Sequence, residues 1–230
     1  MAQSPSQLTL PLPHNPQYGR DAFVIGPSNQ AAVRLIERWP EWPAPVVVLS
    51  GPRGAGKTHL AHIWAARAGA DVLPASRLGA AGVRPGGALV LEDVDTEAVP
   101  EQPLFHLINS AKEAGATLLI TSRLPAAEWR VELPDLRSRL RMATPAALSR
   151  PDDDLLRKVL VKLFADRQLI VERTVIDYLL LRMERSLGAA LLLVERLDRE
   201  ALAAASPITR HMAARVLTFS RAAEEFSEPD

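Results

Sequence analysis

Gly51-Pro52-Arg53-Gly54-Ala55-Gly56-Lys57-Thr58 is the stretch of this chain with the clearest capacity for chemistry. It matches the G-x-x-x-x-G-K-[ST] phosphate loop at every fixed position. Glycines let the backbone curl so that successive N–H groups point at phosphate oxygens, and a helix beginning at the loop adds the partial positive charge of its N-terminus. Lys57 is expected to reach the β- and γ-phosphates, and the Thr58 hydroxyl to help hold Mg²⁺. His59 adjoins the loop and is grouped with the nucleotide-binding residues. His59 and His62 stand three apart. A zinc pair there would need further ligands, which are not evident in a chain without cysteine, so no zinc or other metal of that kind is expected.

A second acidic feature lies at the end of the run ALVLEDVD. In phosphate-loop ATPases a buried strand ends in an acid that holds Mg²⁺, followed by a residue that orients the attacking water. Glu92 and Asp93 take these two places in the reverse of the usual Asp-then-Glu order. A register shifted by one makes Asp93 the metal acid and puts Val94 in the second place. Both acids are therefore Mg²⁺ candidates, with Asp93 the candidate catalytic acid. Either register predicts tight binding and poor turnover by this chain alone. A strand that simply ends in solvent with charges is the plainer alternative.

These residues need elements to place them. PVVVLS before the loop is a short β-branched run, the pattern of a buried parallel strand, and a helix is predicted from Lys57 to about Ala68. ALVLEDVD and ATLLITS read as two more buried strands, with Leu104, Leu107, Ile108 and Ala111 marking a helix between them that Gly115 ends. Upstream, Ser28 is the expected N-cap of a helix carrying Ala32, Leu35, Ile36 and Trp39, stopped by Pro40. Alternating strands and helices imply right-handed crossovers and a parallel sheet covered on both faces. From Asp152 onward only helical periods appear: Leu155 to Phe164, Val175 to Met183, Leu187 to Ala205, and a short one with Met212, Ala213, Val216 and Leu217. The expected division is an extended tail at 1–20, an α/β nucleotide-binding domain at 21–150, a small all-helical domain at 151–219 and an acidic tail at 220–230.

Composition narrows the classes. The chain has 230 residues, 27 basic and 27 acidic, no cysteine, and 47% hydrophobic residues. That supports a sizeable core, argues against a whole-surface field for nucleic acid, and suits a reducing cytoplasm. No run is long enough to span a bilayer and no secretory signal is evident, so a soluble cytoplasmic protein without membrane contacts is expected.

In sequence order, these motifs resemble the AAA+ ATPases, and within them the group formed by the replication initiator DnaA and its shorter relative Hda. GAGKTHL is close to that group's phosphate-loop wording. FVIGPSNQAA resembles its N-terminal box, which implies Val24, Ile25, Gly26 and Asn29 beside the adenine. LLITSRLP resembles the sensor-one strand, with Ser122 as its polar residue near the γ-phosphate; an ordinary strand-end role is the alternative. LRSRL resembles the arginine-finger motif, implying Arg139 as a finger acting in trans; a surface cluster with Arg137 and Arg141 is the alternative. RSLGAAL resembles the sensor-two helix, implying Arg185 as the lid arginine, or merely a helix-end cation. The resemblance runs from about Asp21 to Leu217. It implies an AAA+ core with a helical lid, and ADP or ATP with Mg²⁺ as cofactors.

One departure matters. DnaA continues into a helix-turn-helix domain that reads DNA, whereas from Leu217 on this chain has only LTFSRAAEEFSEPD. Sequence-specific DNA binding is accordingly not expected, and the implied role is that of the Hda side of the group: negative regulation of initiation through DnaA. At the other end, Gln7-Leu8-Thr9-Leu10-Pro11-Leu12 is uncharged, extended and apolar at alternate positions. It resembles the hexapeptide by which replication proteins bind the sliding clamp, the β subunit of DNA polymerase III; a tail strand folded on the protein itself, or plain disorder, is the alternative. DnaA and the clamp are thus the implied partners, and a homo-oligomer is compatible with them. A self-contained AAA+ ATPase of helicase-loader type is the competing function.

Overall fold

The three apolar runs become the inner strands of a five-stranded parallel sheet in the computed structural model, which describes residues 19–80, 86–94 and 98–225. β1 (Val46–Ser50) is buried along its whole length and pairs with β4 (Thr117–Ser122), which in turn pairs with β3 (Ala88–Val94). Two strands not expected from the sequence close the edges. β2 (Asp71–Pro74) lies outside β3 and β5 (Thr144–Ala147) outside β1, giving the order β2-β3-β4-β1-β5. Both are four residues long and contain a proline, which an edge position tolerates because one side of the strand needs no ladder bonds.

Alternation along the inner strands feeds two cores. Val47, Leu49, Val90 and Leu119 pack on the side of α1 (Gln30–Glu37) and α2 (Lys57–Ala68), around Trp42 and Trp64. Val46, Val48, Leu89, Leu91, Leu118 and Ile120 pack on the other side, against α3 (Glu101–Glu113) and α4 (Pro134–Met142). Ser28 is not the N-cap of α1: the helix starts after Asn29, and Trp39 lies beyond its end. Asn29 is 2% exposed and ties down the preceding loop instead, accepting the Gly26 N–H at 2.9 Å and donating to the Val24 carbonyl at 2.9 Å.

The remaining helices are α5 (Asp153–Asp166), α6 (Arg173–Leu180), α7 (Leu187–Ala204) and α8 (Arg210–Glu225), the last longer than its period suggested. They share a third core that includes Leu160, Phe164, Leu179, Leu193, Leu197 and Met212. Asp152 caps α5 by accepting the Leu155 N–H at 2.7 Å, and Ser186 caps α7 by accepting that of Ala189 at 3.0 Å. Among the described residues no helix is long and apolar enough to cross a membrane. The hexapeptide 7–12 and the last residues of the acidic tail lie outside the described residues.

Candidate nucleotide-binding site

The phosphate loop joins β1 to α2 at the carboxyl edge of the sheet, which is where ligands bind in open parallel α/β folds. Two of its glycines are required by what lies against them. A Cβ on Gly51 would fall 2.5 Å from the Leu148 carbonyl oxygen, and one on Gly54, whose φ is 72°, would fall 2.5 Å from Cβ of Ser186. The amides of Gly54, Gly56, Lys57 and Thr58 meet no backbone carbonyl among the described residues. A row of unspent donors at a helix start is an anion site by construction. Lys57 is 7% exposed and its ammonium donates to the carbonyls of Gly51 at 2.9 Å and Pro52 at 3.1 Å. Burial lowers its pKa, the charge of Asp93 works against that shift, and the charge of Arg123 adds to it. Pro52, Ala55 and the exposed Arg53 complete the loop.

The residues expected beside the base are gathered at one end of this loop. Val24, Ile25 and Gly26 lead into α1 under the Asn29 bonds, and Leu155 of α5 closes on Gly26. Phe23, which the sequence reading passed over, is 6% exposed and meets His59 edge-on at 5.1 Å. Its ring would lie 3.5 Å from a Cβ on Gly56. His59 Nε2 is 3.3 Å from the Gly19 carbonyl. The His59 pKa is lowered, chiefly by burial; the Gly19 bond acts against this and the nearby His62 with it. A depressed native pKa makes its contribution to stability complete above the unfolded value of about 6.5 and lost as pH falls from there through the native value. The denaturation midpoint should accordingly drop as pH falls below about 6.5, and His59→Gln should flatten that drop.

The helical region reaches the loop through the start of α7. The Leu187 N–H donates to the Gly54 carbonyl at 2.8 Å, and Ser186, 5% exposed, sits on Gly54. Arg185, the expected lid arginine, pairs with Asp153 in the first turn of α5 at 2.7 Å, with both side chains more than half exposed. Ser186 and Leu187 are lid residues in contact with the loop. Nothing local in RSLGAAL distinguishes them, because the contact depends on how α7 docks.

Glu92 faces α2, with Oε2 3.5 Å from Nε2 of His62, while its Oε1 is buried with no hydrogen-bond partner among the described residues. Asp93 is exposed, has φ 53°, and donates its N–H to Thr121 Oγ1 at 2.9 Å. Ser122 is 1% exposed and its hydroxyl donates to the Leu124 carbonyl at 2.8 Å. Its own carbonyl accepts the Gly51 N–H at 3.2 Å and so couples β4 to the loop. Thr58, Glu92 and Asp93 are hard oxygen donors of the kind Mg²⁺ takes, and the orphaned Oε1 is a carboxylate oxygen lacking a partner there. The residues present fit a Mg²⁺-nucleotide.

Arg139 lies in the last turn of α4, half-buried, and makes no hydrogen bond or ion pair among the described residues. Arg137 is spent on the Val131 carbonyl, and Arg141 is exposed.

The sequence matches no known family model and no curated protein sequence. Its structure does match solved ones. Domain III of the Thermotoga maritima replication initiation protein DnaA aligns with a TM-score of 0.74 at 19% identity, over 90% of this chain and 98% of that one. A replication initiator DnaA bound to AMPPCP and single-stranded DNA aligns at 0.68 and 19%, over 79% of this chain and 64% of that one. The Thermotoga maritima RuvB Holliday junction branch migration motor aligns at 0.61 and 18%, over 82% and 65%. This chain thus spans about two thirds of those two longer proteins and nearly all of the isolated DnaA domain. It has the AAA+ fold, with the parallel sheet and helical C-terminal region of DnaA domain III.

Proposed function

We propose that this protein holds an adenine nucleotide without cycling it and regulates replication initiation negatively, as Hda does, by lending Arg139 to the nucleotide site of ATP-loaded DnaA. The observation that carries the reading is Arg139 itself: a half-buried guanidinium with no partner among the described residues, in the last turn of α4 just before β5 begins at the amino edge of the sheet. An arginine supplied in trans stabilises the charge spread over a transferring phosphoryl group. The shared fold with DnaA domain III supports a partner of the same architecture. The DnaA structure bound to AMPPCP supports adenine nucleotide as the ligand class; in this reading Thr58, Glu92 and Asp93 would hold Mg²⁺ and ADP is the resident form. Glu92 turned onto His62 and the Glu-Asp order support weak intrinsic hydrolysis.

Residues Gln7 to Leu12 complete the proposal by binding the DNA polymerase III sliding clamp. This localises the protein, in the cytoplasm, to replicating DNA. Homo-oligomerisation through the same faces is compatible with it. The test is phosphate release from ATP-loaded DnaA with clamp loaded on DNA: adding this protein should accelerate release. Steady ATP hydrolysis by this protein alone, with no effect on DnaA, would instead establish an ATPase of helicase-loader type. Replacing Leu8 and Leu10 together by alanine removes two apolar anchors worth about 1.5–3 kcal/mol each. Clamp capture should weaken by about a hundredfold or more, and the stimulation should then no longer depend on clamp. Unchanged capture would remove the hexapeptide from the reading.

A further inference from the structure

Asp93 stands where plain alternation would send it to the wrong side of the sheet. Leu89 and Leu91 pack on the α3 side and Val90 on the α2 side, so an unbroken β3 would carry Asp93 into the α3 core and Val94 toward α2. Val94 packs with Leu89 and Leu91 instead, and the pairing of β3 with β4 shifts register between Leu91 and Val94. One extra residue is therefore absorbed in the strand as a bulge, and Asp93 takes the left-handed conformation at φ 53°. A non-glycine residue holds that conformation when its surroundings fix it, and such residues gather at functional sites.

The contact that does so here is the hydrogen bond from the Asp93 N–H to Thr121 Oγ1, 2.9 Å long. Thr121 is fully buried and lies opposite Leu49 of β1, on the α2 side with Leu119. Leu118, Leu119 and Ile120 precede it in the strand, all apolar and buried, so a valine of nearly the same shape would fit the space as well. What threonine adds is one acceptor at the bulge.

We propose that Thr121 is a positioning residue for Asp93: its hydroxyl accepts the Asp93 amide, fixes the bulge, and so holds the carboxylate off the apolar α3 face and on the metal side of the phosphate loop. The reading of that site as a Mg²⁺-nucleotide site underlies the second half of this statement. The influence of the Asp93 charge on Lys57 agrees with the placement.

Thr121→Val and Thr121→Ser separate the acceptor from the shape. In the nucleotide-free protein, amide hydrogen exchange at Asp93 followed by NMR should quicken about tenfold or more in Thr121→Val, stay as in the wild type in Thr121→Ser, and leave Leu119 unmoved in both. Fluorescent ADP and ATP analogues titrated with Mg²⁺ and with EDTA should then show Thr121→Val losing about tenfold of the Mg²⁺-dependent gain in affinity with its EDTA affinity intact. Thr121→Ser should keep the gain. Unchanged exchange at Asp93 in Thr121→Val overturns the anchoring. Faster exchange with an undiminished Mg²⁺ gain overturns the link to the metal, and an equal loss with and without Mg²⁺ reduces Thr121 to a structural role. A wild type with no Mg²⁺ gain at all overturns the site reading and the metal half, while the exchange result still decides the anchoring.

Discussion

Replacing Arg139 by alanine should remove the stimulation of DnaA hydrolysis almost entirely, a fall of about 10³-fold or more in the stimulated rate constant, since fingers supplied in trans are worth about 10³–10⁵. The loss should appear in the rate at saturating protein, with clamp capture and ADP binding unchanged. The reason lies in what Arg139 does within its own chain, which is little. It has no hydrogen bond or ion pair among the described residues, so truncation leaves no buried group unsatisfied and should cost little stability. Arg137 serves as the internal contrast: it donates to the Val131 carbonyl at the start of the same helix, and its loss should loosen α4 rather than act on chemistry alone. Arg139→Lys should recover only part of the rate, because an ammonium is a point charge and lacks the planar fork that grips two phosphoryl oxygens. Arg141→Ala, on the exposed end of the helix, should behave as the wild type. Should Arg139→Ala stimulate as well as the unaltered protein, α4 does not carry the finger and the regulatory reading loses its central residue.

What was legible beforehand follows how local each determinant is. The phosphate loop could be read outright, because donor amides, a cation and a hydroxyl at fixed spacing have few other uses. β1, β3 and β4 were legible as apolar runs, since strands buried on both faces leave no polar side. β2 and β5 were not: DVLP and TPAA are short, largely exposed and proline-bearing, and only their neighbours make them strands. The helix carrying Arg139 was hidden by its arginines, although Pro134 at its first turn was a usable signal. Ser28 lost the capping position to Asn29 because the Asn29 amide bridges Gly26 and Val24, a loop contact no periodicity contains. The fate of the outlying site residues depends on docking. Arg185 pairs with Asp153 of α5, and Ser186 and Leu187 reach the loop only because α7 packs there, whereas Ser122 bonds Leu124 two residues on, a local contact of the strand end. The bulge at Asp93 breaks the alternation of β3 and could not be read from ALVLEDVD, whose two motif registers assumed a regular strand end.

The second large effect should come from Lys57→Met, which keeps the length and apolar stem of the side chain and deletes its charge. In the nucleotide-free protein the ammonium is held by the carbonyls of Gly51 and Pro52, part of the loop itself, while burial lowers its pKa. A buried cation with only neutral partners is a poor source of stability, so a methionine there should leave folding nearly unchanged or slightly improved. Nucleotide changes the balance. Phosphate oxygens replace neutral carbonyls as acceptors, and charge-assisted bonds are the strong ones, about 1.5–3 kcal/mol each. Losing one or two of them predicts an affinity for ADP or ATP lower by about 10–10⁴-fold. Fluorescent-nucleotide titration beside a denaturant melt would read both quantities from one preparation. Weaker binding with an unshifted midpoint assigns Lys57 to the ligand, whereas a midpoint that falls together with affinity would mean the lysine holds the loop open and the amides of Gly54, Gly56 and Thr58 do the binding. The distinction bears on Arg139 as well. If DnaA stimulation survives Lys57→Met, resident nucleotide is dispensable for presenting the finger. If it disappears while Arg139 is intact, the occupied loop, through Gly54 and the start of α7, sets the shape in which α4 meets its partner.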